Sequence, residues 1–128
     1  MNSKHFLLMQ WNDPKTRASM EGYLPLPFII GRGRDANLKI KDEAVSRRHV
    51  MIAMTDGGLV VRDLSSTNGT LLNGHEVAYG HLNTGDIIAA GPVTFRVSRL
   101  GEETILDSAI IIRRSHMEDR TTQVLWEN

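Results

Sequence analysis

Three short polar segments interrupt an otherwise apolar, alternating chain: Gly31-Arg32, Ser46-Arg47-Arg48-His49 and Ser65-Ser66-Thr67-Asn68-Gly69-Thr70. Each falls where the alternation breaks, at a loop or a strand end. Loops carried by a rigid scaffold are where binding groups collect. The arginines offer planar guanidinium forks that fit oxoanions. Serine, threonine and asparagine add short neutral hydrogen bonds. Together these side chains suit the capture of an anion and of a peptide backbone beside it.

Other chemistries fit the same residues less well. Ser46 and His49 form a nominal nucleophile and base, with Asp63 as the acid by position, but no G-x-S-x-G elbow surrounds Ser46. A serine among arginines suits anion binding better than attack. His49 has no H-x-x-x-H partner, and His5, His75, His81 and His116 show no metal-type spacing. A histidine satisfied by backbone groups would instead tie two loops together. Gly31-Arg32-Gly33-Arg34-Asp35-Ala36 matches the dinucleotide fingerprint G-x-G-x-x-A, yet residues 37–41 alternate like a strand where the fingerprint needs a helix. Asn68-Gly69-Thr70 fits a glycosylation sequon, a chance match in a cytosolic protein. For Thr67 and Asn68, plain turn chemistry competes with peptide binding.

Composition narrows the partners. The 128 residues are 41% hydrophobic and 23% charged, which suggests one domain with its own core. Fifteen basic and fifteen acidic residues cancel, so no general nucleic-acid or anionic-membrane partner is indicated and any anion site is local. There are no cysteines, which excludes disulfides, thiolate metal sites and cysteine nucleophiles and agrees with a cytoplasmic setting. Phe6-Leu7-Leu8-Met9 is too short for a signal sequence. No run approaches the ~20 apolar residues of a membrane span. No metal or other cofactor is expected.

The scaffold reads as strands. Residues 5–11, 28–30, 37–41, 48–54, 59–64, 71–72, 87–90 and 93–100 carry β-type runs or alternation. Asp56-Gly57-Gly58, Asn68-Gly69, Asn73-Gly74 and Gly91-Pro92 supply turns between them. Residues 17–26 are ambiguous, with Gly22 and Pro25 arguing against helix. Many short strands with turns between them predict an all-β sandwich.

The ordered set Gly31-Arg32, Ser46-Arg47-x-His49, Asp63-Leu64-x-Ser66-Thr67-Asn68-Gly69-Thr70, Asn73-Gly74, Leu82-x-x-Gly85-Asp86-Ile87-Ile88 and Gly91 resembles the forkhead-associated (FHA) domain. The resemblance covers roughly residues 5–99. It implies a sandwich of two sheets and about eleven strands whose loops bind a phosphothreonine peptide without catalysis. By motif, it places Arg32 and Ser46 on the phosphate and Arg47 on phosphate or peptide backbone. Thr67 approaches the phosphothreonine, and Asn68 bonds the flanking backbone. Gly31, His49 and Gly69 shape the loops, and Asn73 braces or touches the peptide. Some relatives carry a second basic residue two before the serine. Here that position is Ala44, which leaves Arg34 or Arg48 to act from that side. The implied partners are phosphoproteins of a Ser/Thr kinase pathway. A phosphorylation-independent assembly domain of the same fold is the alternative.

Beyond Leu100 the character changes. Residues 1–100 read as the FHA domain and 101–128 as a linker or tail, leading towards a further domain. Ser115-His116-Met117-Glu118 matches a capping box and predicts a helix to about Trp126, which would either belong to the linker or pack on the sandwich. Thr104 precedes Asp107 by three, a spacing the family reads after phosphothreonine. That makes Thr104 a candidate phosphosite for binding in trans, giving self-association.

Overall fold

A computed structural model describes residues 3–104, 110–114 and 124–127. Among them run thirteen strands: β1 (Ser3–Asn12), β2 (Ser19–Pro25), β3 (Phe28–Gly31), β4 (Leu38–Lys39), β5 (Val50–Thr55), β6 (Gly58–Asp63), β7 (Thr70–Leu72), β8 (His75–Glu76), β9 (Tyr79–His81), β10 (Ile87–Ala90), β11 (Val93–Thr104), β12 (Ile110–Arg114) and β13 (Val124–Glu127). They form an eight-stranded sheet, ordered β13-β12-β2-β1-β11-β10-β7-β8, and a five-stranded sheet, ordered β4-β3-β5-β6-β9.

Period-2 alternation builds the core. Leu7, Met9 and Trp11 of β1, and Val93, Phe95 and Val97 of β11, point inward from the larger sheet. Phe28, Ile30, Val50, Ile52, Leu59 and Val61 meet them from the smaller one. A register shift between Leu8 and Met9 lets β1 and β11 stay paired along nearly their whole length.

Residues 17–26 resolve into strand. Gly22 sits inside β2 because the Trp11 ring leaves no room: a Cβ there would lie 3.0 Å from Trp11 Cη2. Pro25 ends the strand, where no further ladder donor is required. The tail differs from expectation. Residues 110–114 pair with β2, and 124–127 pair with 110–113, so the described end of the predicted helix is strand. Residues 115–123 lie outside the described residues. The divide at 100/101 falls inside β11.

The register aligns the strand ends that matter. Ile30 pairs with Val50, and Val50 with Asp63. The chain therefore leaves β3, enters β5 and leaves β6 at one end of the smaller sheet. In the larger sheet Thr70 pairs with Ala90 at the start of β7. The two sheets meet there, since a Cβ on Gly91 would lie 3.1 Å from the Ala44 carbonyl oxygen.

Candidate functional site

All three polar segments leave these aligned ends, and hydrogen bonds lock them together. Arg32 N–H donates to the Ser46 carbonyl at 2.9 Å, and Gly33 N–H to the Arg47 carbonyl at 3.0 Å. So close an approach needs glycine: a Cβ on Gly31 would lie 2.1 Å from the Arg47 carbonyl oxygen. Arg32 Nε donates to the Val45 carbonyl at 2.9 Å. That bond occupies one of the five guanidinium N–H groups and fixes the plane of the fork. The side chain is otherwise exposed.

Ser46 and His49 join two loops. Ser46 N–H donates to His49 Nδ1 at 3.0 Å. Nδ1 is therefore unprotonated, and Nε2–H donates to the Gly69 carbonyl at 2.8 Å. The ring is fully buried. With both nitrogens engaged by backbone, His49 has no lone pair for a metal or a nucleophile. Ser46 Oγ accepts from Thr67 N–H at 2.9 Å, and Asn68 Nδ2 donates to the Ala44 carbonyl at 2.8 Å. Each bond crosses from the loop before β5 to the loop before β7. The Asn68 amide keeps a second N–H and its Oδ1 for another partner. Thr67 and Asn68 are exposed, as are Arg47 and Arg48. Gly69, at φ +83°, takes the left-handed turn into β7.

Asp63 organises the loop after β6. Its carboxylate accepts from Ser66 N–H at 3.1 Å, from Ser66 Oγ–H, and from Thr70 Oγ–H at 2.7 Å. Burial alone would raise its pKa, but the bonds from Ser66 and Thr70 outweigh burial and hold it below 3.8. Asp63 is thus not aimed at His49, and Ser46, His49 and Asp63 do not form a relay. In the sequence, Asp63 stands out only as a motif member and as an acid for a hydrolase. The serine three residues on and the threonine seven residues on are the pattern of a carboxylate collecting local donors.

The predicted set divides. Arg32, Ser46, Thr67 and Asn68 come together around the bonds that tie the loops. Arg47 lies alongside, its carbonyl holding Gly33 and its side chain lining a cavity with Arg32. Asn73 stands apart. Its Oδ1 accepts from Ile87 N–H at 2.9 Å and its Nδ2 donates to Asp86 at 3.1 Å, so it braces β7 to β10. Thr104 ends β11, paired with Ser3. The stretch after Gly31 enters a two-residue strand, not a helix, so no dinucleotide site forms. Among the described residues no group of three or more His, Asp or Glu side chains could hold a metal, and no helix is long and apolar enough to cross a membrane.

Comparison with known proteins agrees with this architecture. The FHA domain family model matches residues 28–91, the span holding all three loops. The FHA domain-containing protein FhaA of Mycobacterium tuberculosis is 44% identical over 63 residues, which is 49% of this chain but only 12% of FhaA. A domain solved in work on phosphothreonine-dependent FHA domain interactions superposes with a TM-score of 0.59 at 32% identity, covering 72% of this chain and 96% of that one. EmbR of Mycobacterium tuberculosis, solved in complex with a low-affinity phosphopeptide, gives a TM-score of 0.58 at 26% identity over 71% of this chain and 24% of EmbR. The loops tied through Ser46 and His49 are carried on an FHA sandwich, and the chain belongs to the FHA domain family.

Proposed function

We propose that the chain is a non-catalytic module that binds phosphothreonine peptides of a Ser/Thr kinase pathway, in the cytoplasm. The observation that carries this reading is the convergence of Arg32, Ser46, Thr67 and Asn68 on one loop end, with His49 consumed as a brace. Arg32 and Arg47 supply charge, and the Ser46 hydroxyl supplies a donor to a phosphate of about −1.5 to −2 charge. Charge-assisted bonds contribute ~1.5–3 kcal/mol each, so two of them separate phosphorylated from plain peptide by about a hundredfold or more. In this reading Thr67 approaches the phosphothreonine and Asn68 bonds the peptide backbone that flanks it. Two relatives point the same way: one solved FHA domain was studied for phosphothreonine-dependent interactions, and EmbR was solved with a phosphopeptide. An oriented peptide library, with and without phosphate, tests the reading on wild type and Arg32→Ala. Wild type is expected to select phosphothreonine and the variant to lose that selection. Absence of selection by wild type defeats the proposal.

Thr104 is proposed as a phosphosite bound in trans. β11 begins beside the binding loops, and Thr104 is the last of its twelve residues. At ~3.3 Å per residue it lies about 36 Å from that start. A phosphorylated Thr104 therefore engages the loops of a second copy. Sedimentation should show a dimer only for the form phosphorylated at Thr104; equal sedimentation of both forms rules it out.

A further inference from the structure

The five-stranded sheet is apolar on both faces. Phe28, Ile30, Ile52, Leu59 and Val61 belong to the inner core. The positions that alternate with them hold Ile29, Met51, Ala53 and Val60, where an antiparallel sheet with one face in water carries polar side chains. Register sets these four on one outer face, with Ile29 opposite Met51 and Ala53 opposite Val60. The edge strand β9 extends the face. His81 lies opposite Val60, and Tyr79 opposite Arg62, which is itself opposite Met51. Tyr79 is 49% exposed, while Ile29, Met51 and Ala53 are half-buried. The outer face of the larger sheet differs: Gln10 and Asn12 of β1, and Thr94 and Arg96 of β11, are exposed there. We infer that the outer face of the five-stranded sheet docks an amphipathic helix of a partner protein, one whose apolar stripe is flanked by carboxylates.

Size favours a helix. The face crosses the neighbouring strands β3, β5, β6 and β9. Three spacings of ~4.8 Å make it about 14 Å wide, close to the ~10–12 Å diameter of one helix with its side chains. An apolar sheet face is completed in folded proteins by a packed layer, and a single helix fits this width.

Charge selects among occupants. The charged side chains at outward strand positions are Lys39 of β4 and Arg62 of β6, both basic and exposed. A second copy laid face to face would set basic against basic, whereas carboxylates complement both. Two basic groups flanking an apolar centre differ from the polybasic cluster that holds a protein to an anionic bilayer. The Arg62 guanidinium lies 5.6 Å from the Tyr79 ring centroid, and the His81 ring meets Tyr79 edge-on at 6.2 Å. Tyr79 is thus held in place before a partner arrives, and tyrosine and arginine are the side chains that most often carry interface energy. Lys39 pairs with Gly31, so the face begins beside the binding loops, but none of their polar side chains belongs to it.

The test follows amide NMR shifts of the full chain on addition of three synthetic helices of about 18 residues, long enough to form in water. One has a leucine stripe flanked by glutamate, one the same stripe flanked by lysine, and one the glutamate composition with the leucines scrambled. The glutamate-flanked helix should give saturable shifts at Met51, Ala53, Val60, Arg62 and Tyr79. It should bind roughly tenfold tighter than the lysine-flanked one, about the gain of one charge-assisted bond. Lys39→Glu/Arg62→Glu should reverse that preference, an outcome that loss of folding cannot produce. Tyr79→Ala should weaken binding about tenfold or more with little change in melting temperature. No saturable binding of the glutamate-flanked helix up to ~1 mM, equal binding of the three helices, or shifts confined to other surfaces overturns the inference. So does dimerisation of the free chain through this face in sedimentation, or tighter binding to phosphatidylserine vesicles than to the helix. Each of these outcomes leaves the phosphothreonine reading standing.

Discussion

The two ends of the sandwich are built from different hydrogen bonds. At the far end, Thr55 Oγ1 donates to the Gly58 carbonyl and accepts from Gly57 N–H, and the Asp86 carboxylate accepts from Asn83 N–H. These partners are at most three residues apart, and the longer bonds at this end are those of Asn73 to Asp86 and Ile87, over 13 and 14 residues. At the binding end the main side-chain bonds span 13 residues for Arg32–Val45, 20 for His49–Gly69, 21 for Ser46–Thr67 and 24 for Asn68–Ala44. A turn that satisfies itself needs nothing from the fold. Loops tied across such distances exist only once the sheets have paired, and they then hold exposed groups in fixed relation, which is what preorganised binding requires.

The largest test of this difference is His49→Ala. It removes a buried ring, leaves Ser46 N–H and the Gly69 carbonyl without their partner, and opens a void. The expected loss is about 2–4 kcal/mol in denaturant unfolding. Phosphopeptide affinity should fall as well, because Ser46 and Gly69 lose their common anchor. Arg32→Ala should do the reverse, costing binding but little stability, since Arg32 is exposed. If His49→Ala left stability within about 0.5 kcal/mol of wild type, in the range of an ordinary surface change, the claim that the loops are locked through this ring would be broken.

Much of the fold is legible in the sequence, and the limits are physical. The strands with clean alternation, such as 48–54 and 59–64, are legible because one face of each is buried. Arg32, Ser46, Thr67 and Asn68 are legible as a motif at loop positions. β2 is ambiguous because the reason for Gly22 is a tryptophan ring from another strand. β8 and β9 span only His75–Glu76 and Tyr79–His81, too short to show a period. The capping-box pattern at Ser115 is a local preference. Pairing of 124–127 with 110–113, and of 110–114 with β2, is set by a free sheet edge that no local window contains. Arg48, which the motif offers as a substitute contact, is exposed and lines the cavity with Arg32. For Asn73 the motif allows either a brace or a ligand contact, and its bonds to Asp86 and Ile87 make it a brace.

An intermediate effect should come from Asp63, through pH. Its pKa in the folded protein lies below 3.8 because Ser66 and Thr70 donate to the ionised form. The folded state therefore favours the carboxylate more than the unfolded state does. The associated stability is fully present above the unfolded value near 4 and is lost as pH falls through the lowered folded value. Wild type should lose stability below about pH 4 more steeply than Asp63→Asn. That variant lacks the titrating group and keeps one acceptor oxygen, at a cost of roughly 1–3 kcal/mol at neutral pH. Parallel pH profiles for the two proteins would remove Asp63 from the frame.

The smallest effect should come from the far end. Thr55 has the same kind of polar side chain as Ser46, and its hydroxyl donates to the Gly58 carbonyl and accepts from Gly57 N–H, so Thr55→Ala is a matched control for position. Its bonds are local and exposed to water, which replaces the lost partner at once. The net worth of such a bond is about 0.5–1.5 kcal/mol, and the exposed turn should show the lower end of that range. Phosphopeptide affinity should be unchanged, because the hairpin between β5 and β6 lies a strand length from the loops around Ser46. Ser46→Ala, by contrast, frees Thr67 N–H and breaks the tie between two loops, so it should weaken binding by roughly tenfold or more even if stability falls no further than in Thr55→Ala. Equal binding losses in the two variants would mean that the sandwich transmits disturbance along its whole length and that the binding end has no frame of its own. A loss confined to Ser46→Ala would show that the long-range bonds, and not hydroxyl hydrogen bonds in general, position the site.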